Sequence, residues 1–497
     1  MYEQYVSTVL LTTLFLPAAG AILVIFLPRD SESIRSVALF VTIVNLVLSL
    51  SILLGKGTLW SGEALSWSAG EYDVNPIVPY VNAVFGLKLD GLSLSLVFLT
   101  NLLAVVAVLA SWRIKQRIKE YHFWLLILIS GVLGVFMSSD LLFFFLFWEV
   151  ELLPMYLLIS IWGSGNKDYS AMKFVLYTLL GSGFMLIGIL SLRFAAGTFD
   201  IYEMILLATS GNLETGFLSV EIVYLMLLIG FLIKLPAWPF HTWLPDAHTD
   251  APTPLSILLA GILLKMGGYG LIRMNLSIFP DVSDEWAPWL ALLAAFSVIY
   301  GAVLVFRQTD LKRVIAYSSI SHMGLVLLGV ASTSIIGVGG SALQMVAHGT
   351  ITGLLFLTVG LIYEESGTRH IPDLGGLMSK MPIIGGMLIF GGLASLGLPF
   401  LSGFAAEVTV FLGSFTEHPE QTVVAMFGIV LTAGYILWTF ERVLFKESKP
   451  RFRNVRDATK VDTFAMLLLA APILLIGIYP SFILNIINSS IEPIIGG

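Results

Sequence analysis

The chain has 497 residues, 57% of them hydrophobic and 12% charged, with a net charge of −7 and no cysteine. A soluble domain carries about 25% charged residues, so this composition, with a mean hydropathy of +0.91, excludes a soluble globular protein and indicates a polytopic membrane protein. Without cysteine the chain can hold neither a disulfide nor a thiolate-bound iron–sulfur cluster.

No cleavable signal is expected at the start, because Met1 to Tyr5 lacks the basic segment such a signal needs. Apolar runs long enough to span a bilayer then recur along the chain. They are predicted at 8–28, 34–54, 89–111, 120–138, 140–162, 169–196, 217–244, 254–275, 285–306, 313–331, 336–363, 382–413, 421–446 and 462–487. The expected fold is therefore an all-α polytopic membrane protein of about 14 transmembrane helices, forming a single membrane domain. The first three helices fall within residues 1–115. Connections are short, the longest being 55–88, rich in Gly, Ser, Trp and Pro.

Charge placement predicts orientation. Loops 29–33, 112–119, 163–173, 307–313, 364–381 and 442–461, with their flanks, hold 20 of the 26 Lys and Arg. The alternate loops hold only Lys56, Lys88, Arg193 and Arg273. The basic side is the cytoplasmic side, which puts both termini on the outer side, in agreement with an even number of spans. The expected location is an energy-transducing membrane, a bacterial or archaeal plasma membrane.

Two spans look broken. The seventh is interrupted at Lys234-Leu235-Pro236-Ala237-Trp238-Pro239, and the twelfth at Leu396-Gly397-Leu398-Pro399. Five helices apart, the breaks must face opposite sides of the bilayer. Discontinuous helices at matching positions of two halves mark inverted-repeat transporters. The expected repeats are 119–275 (helices 4–8) and 285–446 (helices 9–13), with 462–487 as helix 14. Prolines are also tolerated in membrane helices for structural reasons alone.

Six ionisable residues fall near the midpoints of their spans: Glu149, Lys234, Lys265, His322, His348 and Glu407. His322 is about ten residues into its span, roughly 15 Å deep. A charge at the bilayer centre costs ~2.5–3.5 kcal/mol on insertion scales, and such residues face a protein interior or a wet path. Each has a bland reading: a structural ion pair for Glu149 and Lys234, interhelical hydrogen bonding for His322 and His348, a static wet pocket for Glu407. Six groups at one depth, with almost every other charge kept in loops, read instead as a proton relay. Glu151 points about 200° away from Glu149 around the helix, so both cannot face one partner; Glu149 is the expected partner of Lys234, with Glu151 as the alternative. Asp90, at a span start, is expected at the interface.

The segment His241-Thr242-Trp243-Leu244-Pro245-Asp246-Ala247-His248, with Asp250 beyond it, is read as a proton-inlet route through His241, Asp246 and His248, or as a rigid proline-capped loop, rather than as a metal site, since no cysteine or tight pair of histidines supports a metal. No Gly-x-Gly-x-x-Gly or Walker motif occurs, so no cofactor is expected in this chain.

These residues carry a resemblance. FFFLFWEVELLPMYLLISIWG, KLPAWPFHTWLPDAHTDAPTPLSILLAGILLKMGGYGLIRMN, DLKRVIAYSSISHMGLVLLGV, QMVAHGTITGLLFLTVG and SGFAAE resemble the antiporter-like subunits of respiratory complex I, the NADH–quinone oxidoreductase, nearest the subunit 4 or chain M type. The match covers the core spans; the first two spans and 55–88 are less diagnostic. The resemblance implies fourteen helices with inverted five-helix repeats, a place in the membrane arm beside other antiporter-like subunits, and FMN, iron–sulfur clusters and quinone in partner subunits. It implies that Glu149 pairs with Lys234, that Lys265 connects the halves, that His322 and His348 lie on the axis, and that Glu407 ends it. The subunit 5 or L type is expected to carry a long C-terminal extension with a lateral helix, and the sequence ending soon after the fourteenth run is read as a departure from that type. Mrp-type cation/proton antiporter subunits are similar in fold and share much of the loop motif; HTWLPDAHT together with AYSSISHMG favours complex I. A passive scaffold of the membrane arm is the remaining alternative.

Overall fold

The computed structural model describes residues 2–28, 31–54, 66–69, 85–211, 213, 216–452 and 454–495. Most of the 55–88 connection therefore lies outside the described residues. The fold is nearly all helical; among the described residues the one sheet pairs Ser66–Ala69 antiparallel with Leu87–Asp90. Twelve helices among the described residues are long and apolar enough to cross a membrane, from Thr8–Phe26 to Lys460–Ile478.

The interior is built by four of them: Gly91–Arg113, Thr253–Leu276, Leu311–Ala331 and Ile335–Ser366, each at least 94% buried over its most apolar window. They are mostly apolar, and with no lipid-facing side they are also the helices that carry Lys265, His322 and His348. The outer helices bury one face and turn large apolar side chains such as Leu412, Val430 and Leu475 outward, where lipid rather than water would meet them.

The expected runs 217–244 and 382–413 are each split in two. Val220–Lys234 is followed by Trp243–Asp250, and Pro382–Ser395 by Ser402–Glu417. The chemistry of each break is local. Pro236 and Pro239 have no N–H to continue the ladder, and Gly397 takes φ +82°, which a side chain would resist. Both first halves close with the same pair of bonds. Leu235 N–H donates to Phe231 O (2.8 Å) and Ala237 N–H to Leu232 O (3.0 Å); Leu396 N–H donates to Gly392 O (2.9 Å) and Leu398 N–H to Leu393 O (3.0 Å). Lys234 and Ser395 thus occupy the same place, the last residue of a half-helix.

Two further features recur between the two halves. Asp140 caps the Leu141–Val150 helix through the N–H groups of Leu142 and Phe143, and its backbone bridges to Asp200. Asp310 caps the Leu311–Ala331 helix through Lys312 and Arg313, and its backbone bridges to His370.

A third interruption was not expected. The Leu141–Trp162 span is divided at Glu151 into Leu141–Val150 and Leu152–Trp162. Pro154 explains it: a helical proline removes one bond and clashes with the carbonyl four residues back, here that of Val150.

Candidate functional site: a buried row of ionisable side chains

The row begins at the first helix break. The Lys234 ammonium is ion-paired to the Glu151 carboxylate, with both side chains sealed from solvent at 1% and 0% exposure. Lys234 Nζ also lies 5.5 Å from the centre of the Trp148 ring and 5.3 Å from that of Phe174, within cation–π range. This corrects the sequence expectation that Glu149 is the bonded partner. Glu151 keeps helical dihedrals (φ −73°, ψ −24°), so the two carboxylates still point apart; the angle separates them without saying which one meets Lys234, and it is Glu151 that does. Glu149 is half-buried on the preceding turn, near Ser182 and within electrostatic reach of Lys234, and its Oε1 is buried without a hydrogen-bond partner. Lys234 therefore has one bonded carboxylate and a second within electrostatic reach.

The second part of the row is continuous. Lys265 Nζ donates to Ala260 O, a carbonyl within the widened turn Leu259–Leu263, and lies 2.7 Å from His348 Nδ1. The rings of His348 and His322 are 5.5 Å apart between centres. His322 Nε2 is 3.1 Å from Ser395 Oγ, and its Nδ1 is 3.5 Å from Glu407 Oε1. A small cavity is lined by His322, Gln344, His348, Ser395, Gly403 and Glu407, among others. Its volume is about 10 Å³, near the roughly 10–15 Å³ that one water requires in this measure.

Close packing brings the two parts together. A Cβ on Gly267 would lie 2.6 Å from Leu235 N, so only glycine lets the Lys265 helix rest on the break that follows Lys234. At the other break a Cβ on Gly403 would lie 2.0 Å from Ala394 O. Among the described residues no hydrogen bond or ion pair joins Lys234 directly to Lys265.

The three residues read as an inlet do not cluster. His241 is buried with its ring edge-on to Tyr300 at 5.0 Å. His248 is fully buried, stacked on Phe356 at 4.7 Å, with neither ring nitrogen bonded. Asp246 sits nearer the surface, bridging Lys173 (2.8 Å) and Arg313 (3.4 Å). No group of three or more His, Asp or Glu is placed to hold a metal among the described residues. Asp90 is not left at the interface: it pairs with Arg273, and both are buried within the protein.

Sequence reasoning ranked Glu151 behind Glu149, since spacing alone does not say which carboxylate faces Lys234. It passed over Ser395, which carries no signal except its place before a break. It counted Lys312 among loop charges, because it stands at the edge of its span.

The family model described as NADH:quinone oxidoreductase/Mrp antiporter, TM, matches residues 138–432, which hold every member of the row. The chain belongs to this family. Within it, the chain is 41% identical to the NAD(P)H-quinone oxidoreductase chain 4 1 of Synechococcus elongatus, over 94% of this chain and 87% of the relative. It is 36% identical to the NADH-quinone oxidoreductase subunit M of Rhodobacter capsulatus, over 97% and 95%. Its fold is similar to that of a chain of respiratory complex I from Thermus thermophilus with bound NADH, with a TM-score of 0.86, 28% identity, and 98% and 100% of the two chains covered. A chain of the Mrp complex from Dietzia sp. shares the fold, with a TM-score of 0.86 over 99% and 97%, at 19% identity.

Proposed function

We propose that the chain is a proton-translocating, antiporter-like membrane-arm subunit, of chain 4 or M type, in a NADH– or ferredoxin–quinone oxidoreductase. The observation that carries this reading is the unbroken line of contacts Lys265–His348–His322–Glu407, with the Lys234–Glu151 pair at the neighbouring helix break. Electron transfer takes place in partner subunits that hold FMN, iron–sulfur clusters and quinone; this chain supplies the proton path.

The physics of the switch lies in Lys234. Burial disfavours its charged form, while a carboxylate at ~4 Å and effective dielectric ~20 favours it by about 4 kcal/mol. Moving one charge across 100 mV costs about 2.3 kcal/mol. Opening the Lys234–Glu151 pair costs that attraction and so turns Lys234 from holding its proton toward releasing it, and closing the pair returns about 4 kcal/mol, a change large enough to offset that step. Glu149 is the second carboxylate to which the ammonium can turn. Lys265 relays between the halves, His348 and His322 carry the proton along the axis, and Glu407 is the terminal group. His241, His248 and Asp246 lie on the inlet side.

The recurring Asp caps and the twin breaks support two inverted repeats, 119–275 and 285–446. Counting each interrupted pair as one crossing gives fourteen spans, with both termini outside by the distribution of Lys and Arg. The chain is a multi-pass protein of an energy-transducing membrane. Its relatives include a chloroplast chain from Chaetosphaeridium globosum, so a bacterial or archaeal plasma membrane rests on our reading alone.

The second reading is an Mrp-type cation/proton antiporter subunit, favoured by the shared fold. Purification of the native assembly separates the two. We expect flavin, iron–sulfur clusters and quinone-dependent proton uptake into vesicles; a redox-free assembly that exchanges cations for protons would overturn our reading.

A further inference from the structure

Lys312 lies outside the row described above. It is the second residue of the Leu311–Ala331 helix and is 2% exposed. Its ammonium has only neutral acceptors: Nζ donates to Ala251 O (2.6 Å) and to Ser256 Oγ (3.3 Å). Asp250, Asp310 and Glu364 face it from three elements, and Arg369 opposes them, but none of the three carboxylates is within ion-pair distance of Nζ. A cation in the first turn of a helix also meets the positive end of the macrodipole. A buried cation without a bonded carboxylate, at the wrong end of a helix, is a poor structural choice.

Its surroundings form a line. On the basic side of the molecule a cavity of about 200 Å³, room for several waters, is lined by Arg113, Thr253, Gly360, Glu364 and Asp462. Ser256 stands one turn beyond Thr253, and its hydroxyl donates to His248 O (3.1 Å). The His248 ring, with both nitrogens buried and unbonded, lies within electrostatic reach of Lys312 on one side and of Lys265 and His348 on the other. Lys312 and His322 are ten residues apart on one helix, about 15 Å along its axis. Lys312 thus marks the shallow end of a buried polar line whose deep end is the midplane row.

We propose that Lys312 is the inlet group of the row, taking protons from the Glu364 cavity and passing them to the His248 ring; Ser256, bonded to both Lys312 Nζ and the His248 main-chain carbonyl, holds the two residues together. In the transfer the Lys312 ammonium gives one proton to the His248 imidazole and is left as the neutral amine; the next proton from the cavity restores it. The proposal rests on the proton-translocating reading above.

The test is made in the whole complex, in membrane vesicles, with Lys312→Arg, Lys312→Met and Lys234→Met compared. NADH–ferricyanide reduction reports the assembled peripheral subunits. Arginine keeps the charge and the hydrogen bonds but does not release a proton at working pH. We expect both Lys312 variants to pump at least fivefold more slowly, with ferricyanide reduction retained. Pumping at the wild-type rate in Lys312→Arg would assign Lys312 a fixed-charge role and overturn the proposal, even if Lys312→Met failed to assemble. Lys234→Met separates the two levels: loss there with full pumping in Lys312→Arg removes only the inlet, whereas full pumping in Lys234→Met removes the reading it rests on.

Discussion

Replacing Glu151 by Gln tests the bonded pair at the first break. The substitution keeps the shape and removes the charge opposite a Lys234 ammonium that is 1% exposed. Removing one partner of a buried pair costs about 3–5 kcal/mol when the other charge is left uncompensated. The lost attraction alone, about 4 kcal/mol, corresponds to roughly three tenfold steps in the ease of releasing a proton. Lys234 would then lose its proton too early to carry it. Glu149 softens the effect, because its charge also acts on Lys234. We expect Glu151→Gln to lower proton pumping at least tenfold in vesicles, measured by quenching of a pH-sensitive dye, with NADH–ferricyanide reduction unchanged. Glu149→Gln leaves the bonded pair in place and should cost less, and the double substitution should cost more than the two together. Wild-type pumping in Glu151→Gln beside its loss in Glu149→Gln would refute the assignment of Glu151 as the working partner.

Glu407→Gln removes the carboxylate 3.5 Å from His322; pumping should fall while assembly, read by native gel, is retained. Asp90→Asn strands the buried Arg273 guanidinium, at about 3–5 kcal/mol. The thermal inactivation temperature of the complex should drop, and an unchanged temperature would show that the pair contributes nothing.

Much of the architecture was legible because lipid imposes a simple rule: spans must be long and apolar, and each charge inside one needs a reason. Lys265, His348, His322 and Glu407 stood out against their spans, and the structure brings them into contact. The breaks at Pro236 and Pro399 were visible for the same reason. The Lys234 partner was misread because helix geometry separates Glu149 from Glu151 but does not say which of them faces Lys234; that depends on how the helix is rotated against its neighbours. The Asp90–Arg273 pair was hidden by position: both residues lie at span ends, where sequence alone cannot separate a wet interface from a buried contact between distant helices. Lys312 was obscured likewise, being one residue inside its span.

The most direct test of the row as a proton path is Lys234→Ala in the intact complex, with proton uptake and electron transfer measured on the same vesicles. Loss of proton uptake with NADH–ferricyanide reduction preserved is the expected result. Full proton uptake per electron in that variant would contradict the assignment of Lys234 as the switch, and with it the row as a working relay.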